Sequence, residues 1–318
     1  MTDGSPPANR DRHPAVYFAS DYGTADEFVG VVHAVLHRHA PGVPVIDLSH
    51  DVPAFDVSAG ADLLVRCAPV LGPGVVLAVV DPGVGSERRA VAIALAADAG
   101  GPDWLVGPDN GLLLPLAAVG GIRQVREIDA DVASRRGWPA VTDARTFDGR
   151  DLFAPAAAHL VSGGSPDALG PVAEPGSLTP ARSRAWPDLE ADGPPDGPGP
   201  VGVVKWVDRF GNVQLDLGPA DLDPMAVGLD DEVEVEVKVD ARRRPGGADG
   251  PEPGAGPRRR ARRVASFAAL GPGEIGLLID ATGRLALVCD RASAADALGR
   301  PVIGDGVQIR PARPPVAT

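Results

Sequence analysis

The pattern of apolar positions divides the chain into two regions with different periodicity. In the first region, residues 75–80 are an unbroken apolar run that ends at Asp81, which indicates a strand buried on both faces. Residues 16–19 and 43–48 read as two further strands, and they flank a helical apolar spacing at residues 28–36. Together these segments form a β-α-β unit. The first region is therefore predicted to be an α/β domain with a mostly parallel central sheet.

Two helices of this region carry end signals in the sequence. Thr24 and Glu27 have the spacing of a capping box, with Thr24 as the predicted N-cap. Asp151 is the predicted N-cap of a later helix, with Pro155 in its first turn. Both signals place an acidic residue beside a helix N-terminus.

The second region contains short strands separated by turns and no long helical spacing. Its predicted strands are residues 201–207, 213–217, 233–239, 274–279, 285–289 and 307–309. This pattern predicts a C-terminal antiparallel β domain that resembles a barrel. Residues 183–200 are dense in proline, glycine and aspartate and are predicted to be a linker. We therefore expect an N-terminal domain at residues 14–182 and a C-terminal domain at residues 201–312.

A stretch rich in glycine, proline and arginine interrupts the second region at residues 242–263. Its composition predicts a mobile insert between two strands. The basic run at residues 258–263 lies in this insert, and we expect it to be a solvated loop. The net charge of −13 argues against a protein that binds nucleic acid through phosphates.

Composition places the chain among proteins of a reducing compartment. No apolar run approaches the roughly 18 residues that a membrane-spanning helix needs. Residues 1–13 are a polar segment without the features of a signal peptide. Cys67 and Cys289 lie far apart and are predicted to be small buried apolar residues, without a disulfide or metal. We expect a cytoplasmic protein without a membrane partner.

Acidic residues at strand ends and in glycine-rich turns are the candidate chemical groups. They are Asp21, Asp81, Asp109, Asp148 and Asp151. Ligands of open α/β sheets bind at the carboxyl ends of strands, and Arg88 is close enough along the chain to fold back toward Asp81. The structural alternative is an aspartate that caps the turn, beside a solvated arginine pair.

The motifs that the sequence lacks exclude several classes of enzyme but leave alternatives open. The sequence has no G-x-S-x-G nucleophile elbow and no G-x-G-x-x-G dinucleotide motif after a strand. A divalent-metal phosphohydrolase is one interpretation of the acids, but no histidine and aspartate cluster appears at ligand spacing. What remains is a site of carboxylates and arginine without an obligatory metal. Such a site suits recognition of ribose hydroxyls or activation of one water molecule.

Six sequence blocks, in order, give the chain a specific resemblance. They are residues 20–23 (SDYG), 47–53 (DLSHDVP), 81–88 (DPGVGSER), 107–111 (GPDNG), 146–155 (TFDGRDLFAP) and 208–212 (DRFGN). Together they resemble the S-adenosylmethionine hydroxide adenosyltransferase family, whose relatives include the fluorinase and chlorinase. The resemblance covers residues from about 15 to 310.

This resemblance implies a fold, an assembly and a reaction. The fold is an N-terminal α/β domain with a C-terminal β domain, in a homotrimer whose ligand lies between domains of neighbouring subunits. The reaction is attack of hydroxide on C5′ of S-adenosylmethionine, which gives adenosine and L-methionine. The leaving group is a neutral thioether, so no acid and no cofactor is required for its departure.

The resemblance also assigns roles to individual residues. Asp81 and Arg88 occupy two places of the family's Asp-Arg-His catalytic triad, and Asp148 stands in the place of the histidine. Asp21 matches the acid that binds the ribose hydroxyls, and Phe55 matches an aromatic residue against the ligand. The remaining substrate-binding positions are Asp208, Phe210, Asn212 and Arg291 in the C-terminal domain.

Asp148 is the departure that matters most for function. An aspartate near Asp81 creates a like-charge pair, which can raise one pKa and leave a carboxylate able to share a proton. We therefore expect retained hydrolysis of S-adenosylmethionine, without a metal. The alternative is a protein that binds S-adenosylmethionine or adenosine without turnover. An anionic Asp81 would repel a halide, which argues against a halogenase.

Overall fold

The computed structural model describes residues 14–96, 101–129, 131–132, 146–181, 199–239 and 254–312. Contacts within the chain divide it into an N-terminal unit, residues 1–183, and a C-terminal unit, residues 184–318. Most of the predicted linker lies outside the described residues. Each unit is described by itself below.

The N-terminal unit contains a seven-stranded sheet. Its strands are β1 (Ala15–Ser20), β2 (Val45–Ser49), β3 (Gly74–Val79), β4 (Ala90–Leu95), β5 (Trp104–Pro108), β6 (Ile122–Glu127) and β7 (Val172–Ala173). The strand order is β2-β1-β3-β5-β4-β6-β7, and only β4 and β7 run opposite to the other strands. The predicted α/β domain with a mostly parallel sheet is confirmed.

Helices and the central strands build the core of this unit. The helices are α1 (Phe28–His39), α2 (Val57–Cys67), α3 (Leu114–Gly120) and α4 (Ala154–Val161). Every residue of β1 and β3 is buried, as expected for parallel strands covered on both faces. Phe18, Leu77 and Phe153 are fully buried, and a side chain of this kind contributes about 1.5–3 kcal/mol on burial. This packing fixes the carboxyl ends of β1 and β3.

Two predicted helix starts are wrong. The helix α1 begins at Phe28 with Glu27 as its N-cap, and no side chain caps it. The ring of Phe28 packs on Phe147 with centroids 5.2 Å apart, so tertiary aromatic contacts compete with the capping box at this end. Asp151 lies inside a π-helical turn (Gly149–Phe153) that leads into α4, and it accepts hydrogen bonds from Arg150.

The C-terminal unit is a closed seven-stranded barrel. Its strands are β8 (Val201–Val207), β9 (Val213–Leu215), β10 (Glu232–Val239), β11 (Gly254–Arg263), β12 (Ile275–Ile279), β13 (Leu285–Cys289) and β14 (Gly306–Pro311). The strand order is β10-β11-β12-β13-β9-β8-β14, and all pairs are antiparallel except β11 with β12. One short helix, α5 (Ala294–Ala297), packs beside β13. The predicted β domain is confirmed.

The prediction of a mobile insert is wrong for the part that the structure describes. Residues 254–263 form β11, which pairs with β10 along its length, while residues 242–253 lie outside the described residues. Glu232, Glu234 and Glu236 of β10 stand opposite arginines of β11 in the ladder. Opposite charges across a strand pair are favourable, and this complementarity outweighs the low β-propensity of the Gly/Pro/Arg composition.

The remaining expectations about compartment concern cysteines and membranes. Both cysteines are free thiols, with Cys289 buried and Cys67 half-buried. Over the described ranges, no helix has the length and apolar character to cross a membrane.

Candidate active site

A cavity of about 270 Å³ opens at the carboxyl ends of β1 and β3 in the N-terminal unit. Its lining includes Asp21, Tyr22, Phe55, Asp81, Phe147 and Asp148. Four of these six residues were predicted site residues, and Tyr22 and Phe147 were not. The cavity therefore lies at the carboxyl ends of the strands, where open α/β sheets bind their ligands.

A tight turn after β3 folds Arg88 back onto Asp81. The backbone N–H of Val84 donates to the Asp81 carbonyl over 3.3 Å, and that of Ser86 donates to the Gly83 carbonyl over 3.1 Å. Gly85 has a φ of 78°, a conformation that glycine adopts without strain. The sequence Asp-Pro-Gly-Val-Gly therefore sets the geometry that brings the two charges into contact.

Arg88 joins the two carboxylates of the candidate catalytic group. Its Nε donates to Asp81 Oδ1 over 3.1 Å, and its Nη2 donates to Asp81 Oδ2. The same Nη2 donates to Asp148 Oδ2 over 2.7 Å. The guanidinium also lies over the ring of Phe153, 5.3 Å from its centroid, a cation–π arrangement that helps to hold the guanidinium in place. Asp81, Arg88 and Asp148 thus form one ionic cluster, which we call the acid–arginine cluster.

Burial sets the electrostatics of this cluster. The side chains of Asp81 and Arg88 are 6% and 9% exposed, and that of Asp148 is 18% exposed. Burial raises the pKa of the Asp81 carboxyl and the charge of Asp148 raises it further, against the opposing effects of Arg88 and the Gly83 backbone N–H. A carboxylate with a raised pKa is a stronger base than an exposed aspartate. Asp81 therefore has the properties of a proton acceptor.

Asp21 and Phe55 form a second contact at the mouth of the cavity. The backbone N–H of Phe55 donates to Asp21 Oδ2 over 2.8 Å. Phe55 has a φ of 65°, which is uncommon for a bulky residue. Phe55 is also 71% exposed. An exposed aromatic ring beside a carboxylate suits a ligand that has both a ring and hydroxyl groups.

Aromatic residues that sequence reasoning missed also line the cavity. Tyr22 packs edge-on against Phe147 with centroids 5.7 Å apart, and Phe28 contacts both rings. Burial raises the pKa of Tyr22, and the charge of Asp21 adds to this effect. Tyr22 therefore remains a neutral hydroxyl. Its position directly after Asp21 is the signal that could have identified it.

Gly149 makes room for the rings of Tyr22 and Phe147. A Cβ at this position would lie 2.2 Å from the Tyr22 hydroxyl oxygen and 3.2 Å from the Phe147 ring. Such an approach is impossible without a shift of the tyrosine. The glycine that follows Asp148 therefore allows the tyrosine to pack against the π-helical turn.

The other predicted binding residues belong to the C-terminal unit. Asp208 Oδ1 accepts hydrogen bonds from the backbone N–H groups of Phe210 and Asn212, both over 2.9 Å. Asn212 Nδ2 donates to Asp208 Oδ2 over 2.8 Å. These contacts hold a turn in which Phe210 is 70% exposed. The carboxylate and amide of this turn bind each other, and the phenyl ring remains at the surface.

Arg291 lies in the turn after β13 with a φ of 53°. Its guanidinium donates to Asp290 Oδ2 over 2.8 and 3.0 Å. The arginine side chain is largely exposed, so this pair contributes little to stability.

Comparison with known proteins connects both units to one family. The N-terminal domain of the SAM hydroxide adenosyltransferases matches residues 16–170, and their C-terminal domain matches residues 202–305. The chain is 39% identical over 287 residues to a protein from Salinispora tropica named (R)-S-adenosyl-L-methionine hydrolase, covering 90% of this chain and 94% of that protein. It belongs to the SAM hydroxide adenosyltransferase family.

Further relatives agree with this assignment. A Salinispora arenicola protein of the same name is 43% identical over 203 residues, which cover 64% of this chain and 71% of that protein. The crystal structure of an uncharacterized conserved protein from Thermotoga maritima superposes with a TM-score of 0.73 at 29% identity. That superposition covers 93% of this chain and 99% of the other.

In this hydroxide adenosyltransferase, five of the predicted site residues meet in the N-terminal unit. Asp81, Arg88 and Asp148 are in direct contact, and Asp21 and Phe55 are joined by one hydrogen bond. Among the C-terminal residues, Asp208, Phe210 and Asn212 share one turn. Their roles toward a ligand remain predictions.

Proposed function

We propose that this enzyme hydrolyses S-adenosyl-L-methionine to adenosine and L-methionine, with the acid–arginine cluster as its catalytic group. The observation that carries the proposal is the single guanidinium that holds two poorly exposed carboxylates at the cavity. The family match over both units and the names of the relatives support the substrate.

Asp81 is the proton acceptor in this proposal. A water oxygen attacks C5′ of the substrate in line with the C5′–S bond, which breaks and returns its electron pair to sulfur. One water proton passes to Asp81, and the products are adenosine and the neutral thioether of methionine. General base catalysis of this kind contributes about 10²- to 10⁴-fold. No metal or cofactor takes part in the step.

Arg88 and Asp148 prepare Asp81 for this role. Arg88 is a positioning residue, because its two contacts fix both oxygens of the Asp81 carboxylate. Asp148 contributes negative charge, which raises the pKa of Asp81 and strengthens the base. In this scheme the aspartate at position 148 replaces the family's histidine as the partner of Asp81.

The remaining residues bind the substrate. Asp21 accepts hydrogen bonds from the ribose hydroxyls, and the exposed ring of Phe55 packs on the ligand. In the C-terminal unit, Asp208, Phe210 and Asn212 contact the amino-acid part and the adenine, and Arg291 lies in the turn whose backbone meets the adenine edge. These roles come from the resemblance to the family.

A homotrimer is the assembly that we propose. It places the N-terminal unit of one subunit against the C-terminal unit of the next, as the family resemblance implies. Two variants with changes in different units, Asp81→Asn and Phe210→Ala, test this by subunit mixing, since each is expected to lower turnover. Activity regained after the two are unfolded and refolded together would support a shared site, and a monomer in light scattering would exclude the trimer.

A cytoplasmic location completes the proposal. Two free thiols are typical of a reducing compartment, and the acidic net charge of −13 disfavours nucleic acid as a partner.

The decisive experiment is turnover by the purified full chain. The protein is incubated with S-adenosylmethionine in the presence of EDTA, and adenosine and methionine are followed by chromatography. The variant Asp148→His is assayed in parallel, since it restores the family's histidine. We expect both products from the wild type in equal amounts.

Each other outcome has a definite meaning. Product from Asp148→His alone would show a binding protein whose triad has been dismantled. Product that requires added Mg²⁺ would show that the hydrolysis depends on a metal and would remove the metal-independent mechanism. If neither protein forms adenosine and methionine, the catalytic proposal is wrong, and the family assignment is unaffected.

A further inference from the structure

A second cluster of ionisable groups lies outside the cavity, at the join between α1 and β2. His33 comes from α1, Asp47 from β2, and His50 from the turn that follows β2. Asp47 Oδ1 lies 2.8 Å from His33 Nε2 and 3.1 Å from His50 Nε2. All three donor atoms fall within 4.8 Å of one another. No ligand spacing is visible in the sequence, because a helix, a strand and a turn each contribute one residue.

His50 is oriented by its surroundings and not by the cluster. Its side chain is 4% exposed, and it packs on Phe18 with ring centroids 4.6 Å apart. Its Nδ1 lies at hydrogen-bond distance, 2.7 Å, from Ser20 Oγ. This contact fixes the ring so that Nε2 faces Asp47.

The Nε2 atom of His50 is the unsatisfied group of the cluster. It makes an ion-pair contact with Asp47 Oδ1 at 3.1 Å, but it forms no well-aligned hydrogen bond among the described residues. A buried polar atom without a hydrogen-bond partner destabilises the folded state. A bound cation between the imidazole nitrogens and the carboxylate would satisfy it.

We propose that His33, Asp47 and His50 bind a divalent transition-metal ion such as Zn²⁺. Two imidazole nitrogens and one carboxylate oxygen are donors that zinc prefers, at about 2.0–2.2 Å from the metal. In a tetrahedral site of that size the donors are about 3.3 Å apart. The two observed distances to Asp47 therefore need only a small expansion, and the two imidazole nitrogens lie within 4.8 Å of each other. The contact of His50 Nδ1 with Ser20 is the type of outer hydrogen bond that orients ligating histidines.

This site is separate from the proposed hydrolase reaction. None of its three residues lines the cavity, and the ion would join α1 to β2 in place of an unsatisfied contact. His33 and Asp47 are 36% and 42% exposed, which leaves access for a water molecule as the fourth ligand.

Zinc binding to the full chain tests the proposal. The protein is stripped with EDTA, dialysed and titrated with ZnCl₂ by calorimetry, and bound metal is counted by elemental analysis. The variants are His33→Ala, Asp47→Asn and Ser20→Ala. His37→Ala is the matched control, because His37 is an exposed histidine of the same helix outside the cluster. Circular dichroism verifies the fold of each variant.

We expect one Zn²⁺ per chain in the wild type and in His37→Ala. The affinity should fall by about 100-fold or more in His33→Ala and Asp47→Asn, and by about 10- to 100-fold in Ser20→Ala. Co²⁺ should give the visible absorption of a four-coordinate site in the wild type. If a variant does not fold, the melting temperature decides: Zn²⁺ should raise that of the wild type and His37→Ala alike.

Absence of zinc binding would overturn the proposal. So would binding that is unchanged in both His33→Ala and Asp47→Asn, or binding that is lost in His37→Ala. Turnover of S-adenosylmethionine is measured separately in EDTA, so failure of the metal site leaves the hydrolase proposal untouched.

Discussion

The molecule holds two groups of arginine and acidic residues in opposite environments. In the acid–arginine cluster, the side chains of Asp81, Arg88 and Asp148 are 6%, 9% and 18% exposed. Between β10 and β11 of the barrel, Arg260 and Glu232 are 59% and 51% exposed and 2.9 Å apart. The same chemical groups are therefore buried beside a cavity in one unit and, in the Arg260–Glu232 pair, solvated on a strand pair in the other.

Burial decides what each group can do. Solvated pairs are screened by water and contribute about 0–1 kcal/mol to stability. Buried charges lose hydration, and their attraction repays that cost only when the pairing is good. One arginine cannot neutralise two carboxylates, and the second carboxylate helps to raise the pKa of Asp81. Raised pKa values of this kind are typical of catalytic groups more than of stabilising ion pairs. We infer that the barrel pairs hold β11 in register and that the buried cluster is kept for its reactivity.

The largest effect is expected from loss of the proposed base. Asp81→Asn keeps the shape of the side chain but removes its ability to accept a proton, so turnover should fall by about 10²- to 10⁴-fold. The rate of adenosine formation at saturating S-adenosylmethionine measures it. Asp167→Asn is the matched control, since Asp167 pairs with Arg126 outside the cavity. A variant as active as the wild type would remove Asp81 from the mechanism.

Loss of the central cation should affect stability more than any other change to the cluster. Arg88→Met leaves two carboxylates at the cavity without their cation, and breaking a buried pair from one side costs about 3–5 kcal/mol. Urea unfolding followed by circular dichroism measures the free energy of unfolding. A loss below about 1 kcal/mol would mean that the cluster behaves like the solvated pairs.

The local sequence around Asp81 predicted much of the geometry of the acid–arginine cluster. Asp81 ends a strand that is apolar throughout, and the glycines after it leave few paths for the chain, so the approach of Arg88 could be anticipated. The position of Asp148 beside Arg88 came from the family resemblance. No local signal shows that α4 packs against β3.

Contacts between distant segments account for what the sequence did not reveal. Gly149 leaves room for the Tyr22 hydroxyl, which is more than a hundred residues away in sequence, and His33 of the proposed metal site meets Asp47 only after α1 docks on the sheet. Composition alone predicted a loop at the position of β11. The arginines of β11 are complementary to the glutamates of β10, and this complementarity favours a strand pair. In each case the deciding partner is remote in sequence.

A smaller effect should follow from removal of the second carboxylate. Asp148 raises the pKa of Asp81, so Asp148→Asn should lower it. Because the base must be ionised, the acid limb of the rate against pH should move to lower pH, by about one unit or less. The plateau rate should fall less than about tenfold, as the base becomes weaker. Complete loss of turnover would instead make Asp148 the base.

The smallest effect is expected on the barrel. Arg260→Met removes the partner of Glu232 on an exposed strand pair, and both groups can be solvated by water after the change. The free energy of unfolding should therefore fall by about 1 kcal/mol or less, and added salt should shrink the difference further. Urea unfolding at low and high NaCl measures both effects. A loss as large as that of Arg88→Met would show that the solvated pairs, and not only the buried cluster, carry the stability of their unit.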